Sequence, residues 1–258
     1  MRIATWNVNS LKARLERVEE WLTYAKPDVL CMQETKLADN AFPSMAFAAL
    51  GYETVAHGDG RWNGVAIASR VGLNNIVTGF TAAVEEEAVE RRALWATCGG
   101  VRICTVYVPN GRSVDDPQYE YKLDWLARLS QAIENDYKSD EQLVICGDFN
   151  IAPTDIDVWN ISKFKGETHV SPPERAALKK MIDWGLVDVF RAVYPTEQVF
   201  SWWDYRRGDF HEGRGMRIDL MLATAPIAEH VRYVLIDRQA RKGKLPSDHA
   251  PMFVDVDI

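Results

Sequence analysis

The clearest chemical signal in the chain is the stretch 142–151, QLVICGDFNI, in which an apolar run abruptly turns polar. The four apolar residues at 143–146 are typical of a short strand that is covered on both faces. Because strand residues alternate sides, Asp148 and Asn150 should project together while the residue between them points into the core. This places a carboxylate beside an amide at the edge of a core, although Asp, Asn and Gly also occur in turns for conformational reasons alone.

Polar side chains stand at the ends or starts of other predicted strands as well. Those at strand ends are Asn7, Glu34, Tyr107, Asp148 and Asn150. Those at strand starts are Asp219 and the adjacent Asp248 and His249. If all of them face one cleft, some strands must be antiparallel, because only antiparallel neighbours bring a start beside an end. Taken singly, each residue has an ordinary alternative, such as a turn amide, a solvated carboxylate or a core ring.

Together, these residues form a set with a definite chemistry. Hard oxygen donors with one plausible nitrogen donor and no thiolate favour Mg²⁺ or Mn²⁺ over Zn²⁺. Such a cation stabilises an anionic phosphate in a transition state. His249, held by a carboxylate and close to Asp148 and Tyr107, could supply the proton transfers that attack of water on phosphorus requires. The adjacency of residues 247–249 is no sign of a hydrolase triad, since triads assemble across the fold.

Hydrophobic periodicity predicts the elements that must position this set. Helices are predicted at 11–22, with Ser10 as a candidate N-cap, at 117–137, and from 171 through 184. Strands are predicted at 2–8, 29–32, 52–56, 64–69, 94–98, 101–108, 143–146, 217–222, 231–236 and 252–256. The segment from 185 to 216 is interpreted as irregular and aromatic. The class is therefore mixed α and β.

Length and composition favour one soluble domain spanning 1–258. The 258 residues suffice for a large core, and neither a linker nor an internal repeat is evident. The first residues already form a strand-like run, which leaves no room for a secretion signal, so a cytoplasmic protein without a membrane segment is expected. The 30 basic and 37 acidic residues give a formal charge of -7, which argues mildly against indiscriminate polyanion binding but permits a local basic footprint.

The four cysteines lie within apolar, strand-like runs and lack C-x-x-C spacing. Neither a zinc site nor a disulfide framework is indicated, so reduced core residues are expected. They are Cys31, Cys98, Cys104 and Cys146.

A series of polar segments along the chain carries a further signal. The first segments are Trp6-Asn7-Val8-Asn9-Ser10-Leu11, Met32-Gln33-Glu34-Thr35-Lys36, Asn63-Gly64-Val65-Ala66, Glu90-Arg91-Arg92 and Tyr107-Val108-Pro109-Asn110-Gly111. The later segments are Gly147-Asp148-Phe149-Asn150-Ile151-Ala152-Pro153-Thr154-Asp155, Trp184-Gly185-Leu186-Val187-Asp188, Phe200-Ser201-Trp202-Trp203-Asp204-Tyr205-Arg206, Arg217-Ile218-Asp219 and Pro246-Ser247-Asp248-His249-Ala250-Pro251. In this order, the segments resemble the exonuclease III and apurinic/apyrimidinic (AP) endonuclease family within the endonuclease/exonuclease/phosphatase superfamily, and the resemblance runs nearly end to end.

The resemblance implies a four-layer α/β sandwich of two packed mixed β-sheets flanked by helices, the DNase I-like fold. It also implies an Mg²⁺-dependent DNA repair nuclease with 3′→5′ exonuclease, 3′-phosphatase and AP endonuclease capacity, for which Mn²⁺ is a possible substitute metal. The substrate would be double-stranded DNA with abasic sites, nicks or recessed or blocked 3′ ends, and the protein would be a monomer.

The same resemblance assigns roles within the site. Glu34 would be the chief metal ligand, helped by Asn7 and Asp248, while Asp148 and Asn150 lie around the scissile phosphate and complete the metal site. Asp219 and His249 would form the carboxylate–imidazole pair. Tyr107 and Asp148 share the roles of acid, base or phenolate stabiliser, which the sequence does not separate.

DNA contacts are also implied by the resemblance. The candidate phosphate contacts are Arg91, Arg92, Arg112, Lys122, Arg206 and Arg217. The stretch 241–244 is a further candidate, although Lys242 and Lys244 are expected to be solvated surface charges. Trp202, Met216 and Ile218, with Trp203 and Tyr205, resemble a pocket for a flipped-out abasic sugar, and either Trp203 or Tyr205 is expected to be core.

Aligning Pro173-Glu174-Arg175 with the corresponding helix start of the family places His169 where many AP-active relatives carry a small residue such as Gly or Ser, and it is the candidate specificity residue. Its imidazole either fills the space of an extruded sugar or turns outward to solvent. Two other functions stay open at this point. One is a superfamily phosphoesterase acting on a lipid or small phosphoester, and the other is an inert nucleic-acid-binding relative.

Overall fold

A computed structural model of the protein describes residues 1–80 and 91–258, so Glu90 of the quoted motifs lies outside the described residues. The strands are β1 Arg2–Asn7, β2 Val29–Gln33, β3 Glu53–His57, β4 Val65–Ser69, β5 Asn74–Thr78, β6 Ala93–Cys98, β7 Val101–Tyr107, β8 Leu143–Asp148, β9 Leu186–Asp188, β10 Asp219–Thr224, β11 Val231–Ile236 and β12 Met252–Val256. The helices are α1 Leu11–Ala25, α2 Ser44–Ala49, α3 Pro117–Asp136, α4 Pro172–Trp184, α5 Val189–Val193, α6 Asp209–Glu212 and α7 Ala225–Ala228.

The strands form two six-stranded mixed sheets. One has the order β11-β12-β1-β2-β4-β3, and the other has the order β5-β6-β7-β8-β10-β9. Within the second sheet β8 and β10 are antiparallel, and their register pairs Asp219 with Asp148. The antiparallel arrangement required by the polar strand starts and ends is therefore present.

Three apolar cores separate four layers. Inward-facing residues of the two sheets pack on each other, as Ile3 and Val29 of one sheet do with Ile103 of the other. The outer face of the first sheet is covered by α1, and that of the second by α3 and α4. Alternation along each strand supplies both faces with apolar side chains, which explains why these strands read as continuous apolar runs. The predicted fold class is confirmed.

The expected core chemistry of the cysteines is also confirmed. All four are buried with free thiols, and burial raises the pKa of Cys98 to about 11. Reactive thiolates are thus disfavoured.

Several local details differ from the sequence-based expectations, and two of them lie close to the polar residues or between them in the chain. Ser10 precedes α1, but its side chain makes no capping bond; its backbone φ is 84°, and its N–H instead donates to the Glu34 carbonyl. The segment 185–216 is not wholly irregular, because it contains the short β9, α5 and α6. The second difference arises because elements of three to five residues are too short to show periodicity.

In the ranges 1–80 and 91–258, every helix is too short or too polar to cross a lipid bilayer.

Candidate active site

Asn7 holds two carboxylates together where β1 ends. Its Nδ2 donates to Glu34 Oε1 and to Asp148 Oδ2, each at 2.9 Å. Its Oδ1 accepts from the Asn9 backbone N–H at 3.0 Å. Because Asn7 presents nitrogen rather than oxygen to the carboxylates, it orients them here, and its role as a metal ligand stays a prediction.

His249 lies between two carboxylates of the β8–β10 pair. Its Nδ1 is 2.8 Å from Asp219 Oδ2, and its Nε2 is 3.8 Å from Asp148 Oδ2. Burial lowers the pKa of His249, but Asp219 and Asp148 outweigh burial and raise it to about 10. The imidazole is therefore protonated at neutral pH, with Nε2 directed towards the cleft carboxylate.

Asp148 has the opposite electrostatic situation. Burial raises its pKa to about 7, with contributions from the nearby Asp219 and Glu34 carboxylates that the His249 charge only partly offsets. Its Oδ1 accepts from the Asn150 backbone N–H at 2.9 Å. A carboxyl that titrates near neutrality is suited to accepting a proton from water.

Glu34 and Tyr107 lie at the mouth of this group. Burial raises the pKa of the Tyr107 phenol well above its usual value, and Glu34 and Asp148 raise it further. Tyr107 is therefore a neutral hydrogen-bond donor. The Arg92 guanidinium lies over its ring, 4.6 Å from the centroid.

The donor set fits a hard divalent cation. Ligand atoms of Glu34, Asp148 and His249 lie within 4.8 Å of one another. Among the residues that the structure describes, buried Asp219 Oδ1 has no hydrogen-bond partner. The three carboxylates Glu34, Asp148 and Asp219 face two cations, His249 and Lys36, so the cluster has surplus negative charge when all three are ionised. Carboxylate oxygens in this arrangement suit Mg²⁺ or Mn²⁺.

Asp248 lies outside that group. Its Oδ1 accepts from Asn9 Nδ2 at 2.9 Å, and its Oδ2 accepts from Trp202 Nε1 at 3.1 Å. Burial alone would raise its pKa, but His249 and these two donors lower it, so Asp248 is ionised. Its role as a metal ligand stays a prediction. In this structure its two hydrogen bonds connect Asn9, which follows β1, to Trp202.

Asn150 and His169 meet on the other side of the site. Asn150 Oδ1 accepts from Asn110 Nδ2 at 3.1 Å and lies 3.1 Å from His169 Nε2. Burial and the nearby Lys122 charge lower the pKa of His169 to about 3, so its imidazole is neutral. The ring thus points inward to Asn150 and Asn110 rather than outward to solvent.

The predictions that Lys122 and Arg217 contact DNA phosphates were wrong. Both side chains are fully buried. Lys122 pairs with Glu174, and Arg217 pairs with Asp157 and Asp188. Residue type alone does not distinguish a basic residue that contacts phosphate from one that forms a buried ion pair, because the carboxylates that pair with it lie far away in the sequence.

Two further basic candidates are largely buried. Arg92 lies over Tyr107 and donates to its carbonyl at 3.3 Å, and Arg241 donates to the Ser247 carbonyl. Both are therefore corrected from DNA contacts to residues that support the site. Lys242 and Lys244 are exposed, as expected.

The remaining DNA-contact candidates are accessible. The Arg206 and Arg112 side chains are 85% and 72% exposed, although each also lies near an aspartate. Arg91 is partly exposed and contacts His57 Nδ1 at 3.1 Å.

The aromatic region is divided between core and surface. Trp203 is core, as expected of one of the pair, whereas Tyr205 is half exposed. Met216 and Ile218 are buried beneath partly exposed Trp202, so they can shape the floor of a pocket but offer little surface themselves.

Sequence reasoning missed several residues of this site. Asn9, which binds Asp248, repeats the alternation that begins at Asn7, and this spacing was the available signal. Asn110 was visible only as part of a turn motif. Ser201, whose Oγ accepts from the Asp219 backbone N–H at 3.0 Å, gave no signal because it comes from a distant loop.

The two sheets and the carboxylate–imidazole cluster at their common edge define a hydrolase of the DNase I-like fold. The chain belongs to the endonuclease/exonuclease/phosphatase family, whose model matches residues 4–249.

Full-length relatives agree with that class. The chain is 33% identical to exodeoxyribonuclease III of Haemophilus influenzae, and the match covers 99% of each chain. Among solved structures, it resembles an AP endonuclease from Archaeoglobus fulgidus, with a TM-score of 0.96 and 38% identity over 100% of both chains. It also resembles the 3′ phosphatase NExo from Neisseria bound to a product DNA hairpin, with a TM-score of 0.96 and 37% identity over 100% of both chains. The predicted family and enzyme class are confirmed.

Proposed function

We propose that this protein is an Mg²⁺-dependent nuclease that hydrolyses phosphodiesters of damaged or recessed duplex DNA. The observation that carries the proposal is the juxtaposition of the His249–Asp219 pair with the Glu34 and Asp148 carboxylates at one edge of the sheets. Relatives named exodeoxyribonuclease III, AP endonuclease and 3′ phosphatase support the DNA substrate. The protein would act as a monomer in the cytoplasm, with access to chromosomal DNA.

Glu34 and Asp148 would hold the metal ion, with Asp248 as a further candidate. Mn²⁺ would be a possible substitute. The ion, when bound, neutralises charge that develops on the phosphate oxygens and lowers the pKa of coordinated water. The hard carboxylate oxygens and the uncompensated negative charge of the cluster support this choice.

The protein groups divide the proton chemistry. His249, positively charged and fixed by Asp219, would donate a hydrogen bond to a non-bridging phosphate oxygen. Asp148 would orient and deprotonate the attacking water. Tyr107 is a neutral phenol and would donate to an oxygen of the same phosphate. Asn150 would place the phosphate by donating an Nδ2 hydrogen to one of its oxygens.

Exposed Arg112 and Arg206, together with partly exposed Arg91, would contact the phosphates of the DNA. Trp202, over buried Met216 and Ile218, would contact the sugar at the reacting nucleotide. The remaining basic candidates act from within the protein.

His169 would set the balance between the activities. Its imidazole contacts Asn150 at 3.1 Å and so occupies the border of the site. An extruded abasic sugar with a continuing 3′ strand needs more space there than a frayed 3′ terminus does. Processing of 3′ ends would therefore be favoured over internal AP incision.

The test uses end-labelled duplexes, one with a recessed 3′ end and one with an internal abasic analogue, with Mg²⁺ or with chelator. Cleavage that requires Mg²⁺ is expected. Cleavage that persists in chelator would contradict the metal dependence. No cleavage of either duplex would contradict the nuclease function, and hydrolysis of a lipid or small phosphoester instead would favour that other substrate class.

A further inference from the structure

Lys122 is buried between three loops, which carry Asn110, Asn150 and Thr168. Its side chain on α3 is fully buried, and its ammonium contacts Glu174 Oε1. The same ammonium donates to the backbone carbonyl of Asn150 at 2.7 Å and to that of Asn110 at 3.3 Å. Thr168 Oγ1 lies 3.5 Å away as a longer fourth contact, so the three N–H donors of the ammonium are fully used. One buried charge thus binds the loops that carry two side chains of the site edge.

Glu174 extends this arrangement to a third loop. One of its oxygens makes the capping-box contact with the Ser171 backbone N–H at 3.1 Å, which is the ordinary role of this helix position. The other oxygen accepts from the His169 backbone N–H at 2.9 Å and from the Thr168 hydroxyl at 2.8 Å. Capping alone does not require those contacts, so Glu174 also fixes the 168–169 backbone.

The two backbones that this pair binds are both unusual. Asn150 has a φ of 51° and His169 a φ of 75°, which lie in the left-handed region. Residues with a Cβ persist there only where their surroundings hold them. Lys122 donates to the Asn150 carbonyl, and Glu174 accepts from the His169 backbone N–H. The side chains of Asn150 and His169 lie 3.1 Å apart.

We infer that the buried Lys122–Glu174 pair is a positioning element that sets Asn150 and His169 at the edge of the active site. The inference rests on the proposed function, in which Asn150 places the phosphate and His169 sets the balance of activities. Lys122 and Glu174 are positioning residues, because both act through the two loops and neither touches the reacting atoms.

A purely structural role explains the pair less well. A buried ion pair gains little over well-packed apolar residues of the same volume, because desolvation of both charges offsets their attraction. The pair also lies where α3 and α4 already pack through apolar contacts such as Leu126, Leu129 and Leu178. What the ion pair supplies, and apolar packing does not, is a set of donors and acceptors for the two left-handed backbones.

The first test separates positioning from stability. Lys122→Met is compared with Leu129→Ala, which removes core packing from the same helix without touching the loops. At saturating Mg²⁺ and well below each melting temperature, Lys122→Met is expected to lower kcat for 3′-end removal by about 10- to 100-fold. Leu129→Ala should leave kcat close to that of the wild type despite a lower Tm. Equal kcat values for Lys122→Met and the wild type would overturn the inference.

A second test covers the case in which Lys122→Met does not fold. The double variant Lys122→Met, Glu174→Met replaces the pair by apolar side chains of similar length, so it should fold. NMR signals of the Asn150 side-chain amide and the His169 ring, recorded without DNA, should shift or broaden in this variant and remain unchanged in Leu129→Ala. Unchanged signals would overturn the positioning role.

The two tests also distinguish this inference from the proposed function. If the wild-type protein cleaves no DNA, the nuclease function fails, whereas the NMR comparison still decides whether the pair positions the loops. If the wild type cleaves DNA and neither the NMR signals nor kcat respond to the variants, the inference alone fails.

Discussion

Two buried clusters of carboxylates and cations flank the start of β10, and they differ in how completely their charges are paired. Around Asp219, the imidazole of His249 faces two buried carboxylates, and the nearby Glu34 pairs with Lys36 at 3.0 Å, so two cations face three carboxylates. Around Arg217, the guanidinium binds Asp188 through two bonds of 3.0 and 2.8 Å and Asp157 through a third of 2.6 Å.

The pKa values follow this difference. Burial and neighbouring carboxylates raise the pKa of Asp148 to about 7 in the first cluster. In the second, burial would raise the pKa of Asp157, but Arg217 outweighs it and holds that pKa below its usual value. A cluster with surplus negative charge can bind a cation and exchange protons near neutrality, whereas a cluster with paired charges can only hold structure. Loss of a residue from the first cluster should therefore affect the reaction, whereas loss of a residue from the second should affect stability.

The largest effect is expected from removing the carboxylate–imidazole pair. His249→Ala and Asp219→Ala should remain folded but lose cleavage by at least about two orders of magnitude, because both act in the transition state. Single-turnover cleavage is measured beside a thermal melting curve. Near wild-type cleavage by either variant would remove that residue from the mechanism.

The second cluster should respond in stability instead. Arg217→Met removes the cation shared by Asp157 and Asp188 and leaves Asp157 paired with Arg191 alone, so the free energy of unfolding should fall by about 3–5 kcal/mol. Urea unfolding measures it, with exposed Arg206→Met as the matched control that should change by less than about 0.5 kcal/mol. An equal change in both variants would mean that the buried network does not stabilise the protein.

A smaller effect is expected at the mouth of the first cluster. Glu34→Gln removes one charged ligand, so the Mg²⁺ concentration at half-maximal rate should rise by about tenfold, and excess Mg²⁺ should partly restore cleavage. Mg²⁺ titrations of cleavage by both proteins provide the measurement. A superimposable titration would place the metal elsewhere.

The specificity prediction concerns a ratio rather than a rate. His169→Gly should raise internal AP incision relative to 3′ removal severalfold on duplexes of matched sequence, and glycine tolerates the φ of 75° at this position. His169→Asn is the control, because asparagine also tolerates positive φ and keeps a polar side chain there. A ratio that is the same in all three proteins would show that His169 does not set the balance between AP incision and 3′ removal.

The smallest effect is a pH dependence of the metal-free protein. His249 has a pKa of about 10 in the fold against about 6.5 when unfolded, so the fold binds this proton more tightly. Its stabilising contribution is complete below about pH 6.5 and is lost as the pH rises towards 10. The Tm in chelator should fall by a few degrees across that window, and His249→Gln should flatten the curve. A wild-type Tm that rises with pH would contradict the assignment.

Much of the fold and of the reactive edge could be predicted from the sequence, and the reason is physical. Apolar runs that end in Asn7, Glu34 and Asp148 mark strand ends, and the antiparallel pairing of Asp148 with Asp219 follows from placing starts beside ends. The position of Asp148, Asn7 and Glu34 directly after apolar runs was therefore enough to identify them as residues of the site.

The supporting residues carried no such signal. Arg217 and Asp219 stand two positions apart, yet one is neutralised by carboxylates from two other elements and the other faces the reactive edge. Lys122 was assigned to the surface because Glu174, its partner, is 52 positions away. Pairing across the fold, which decides whether a charge is exposed, is absent from local patterns.

The central claim is that Glu34 and Asp148 bind the divalent cation at the common edge of the two sheets. Crystals soaked in Mn²⁺ and measured at an X-ray energy where manganese scatters anomalously test it directly. The account predicts an anomalous peak in contact with the Glu34 and Asp148 carboxylates that is lost in Glu34→Gln crystals at low Mn²⁺. A peak elsewhere, with no density between these two carboxylates at any Mn²⁺ concentration, would contradict it.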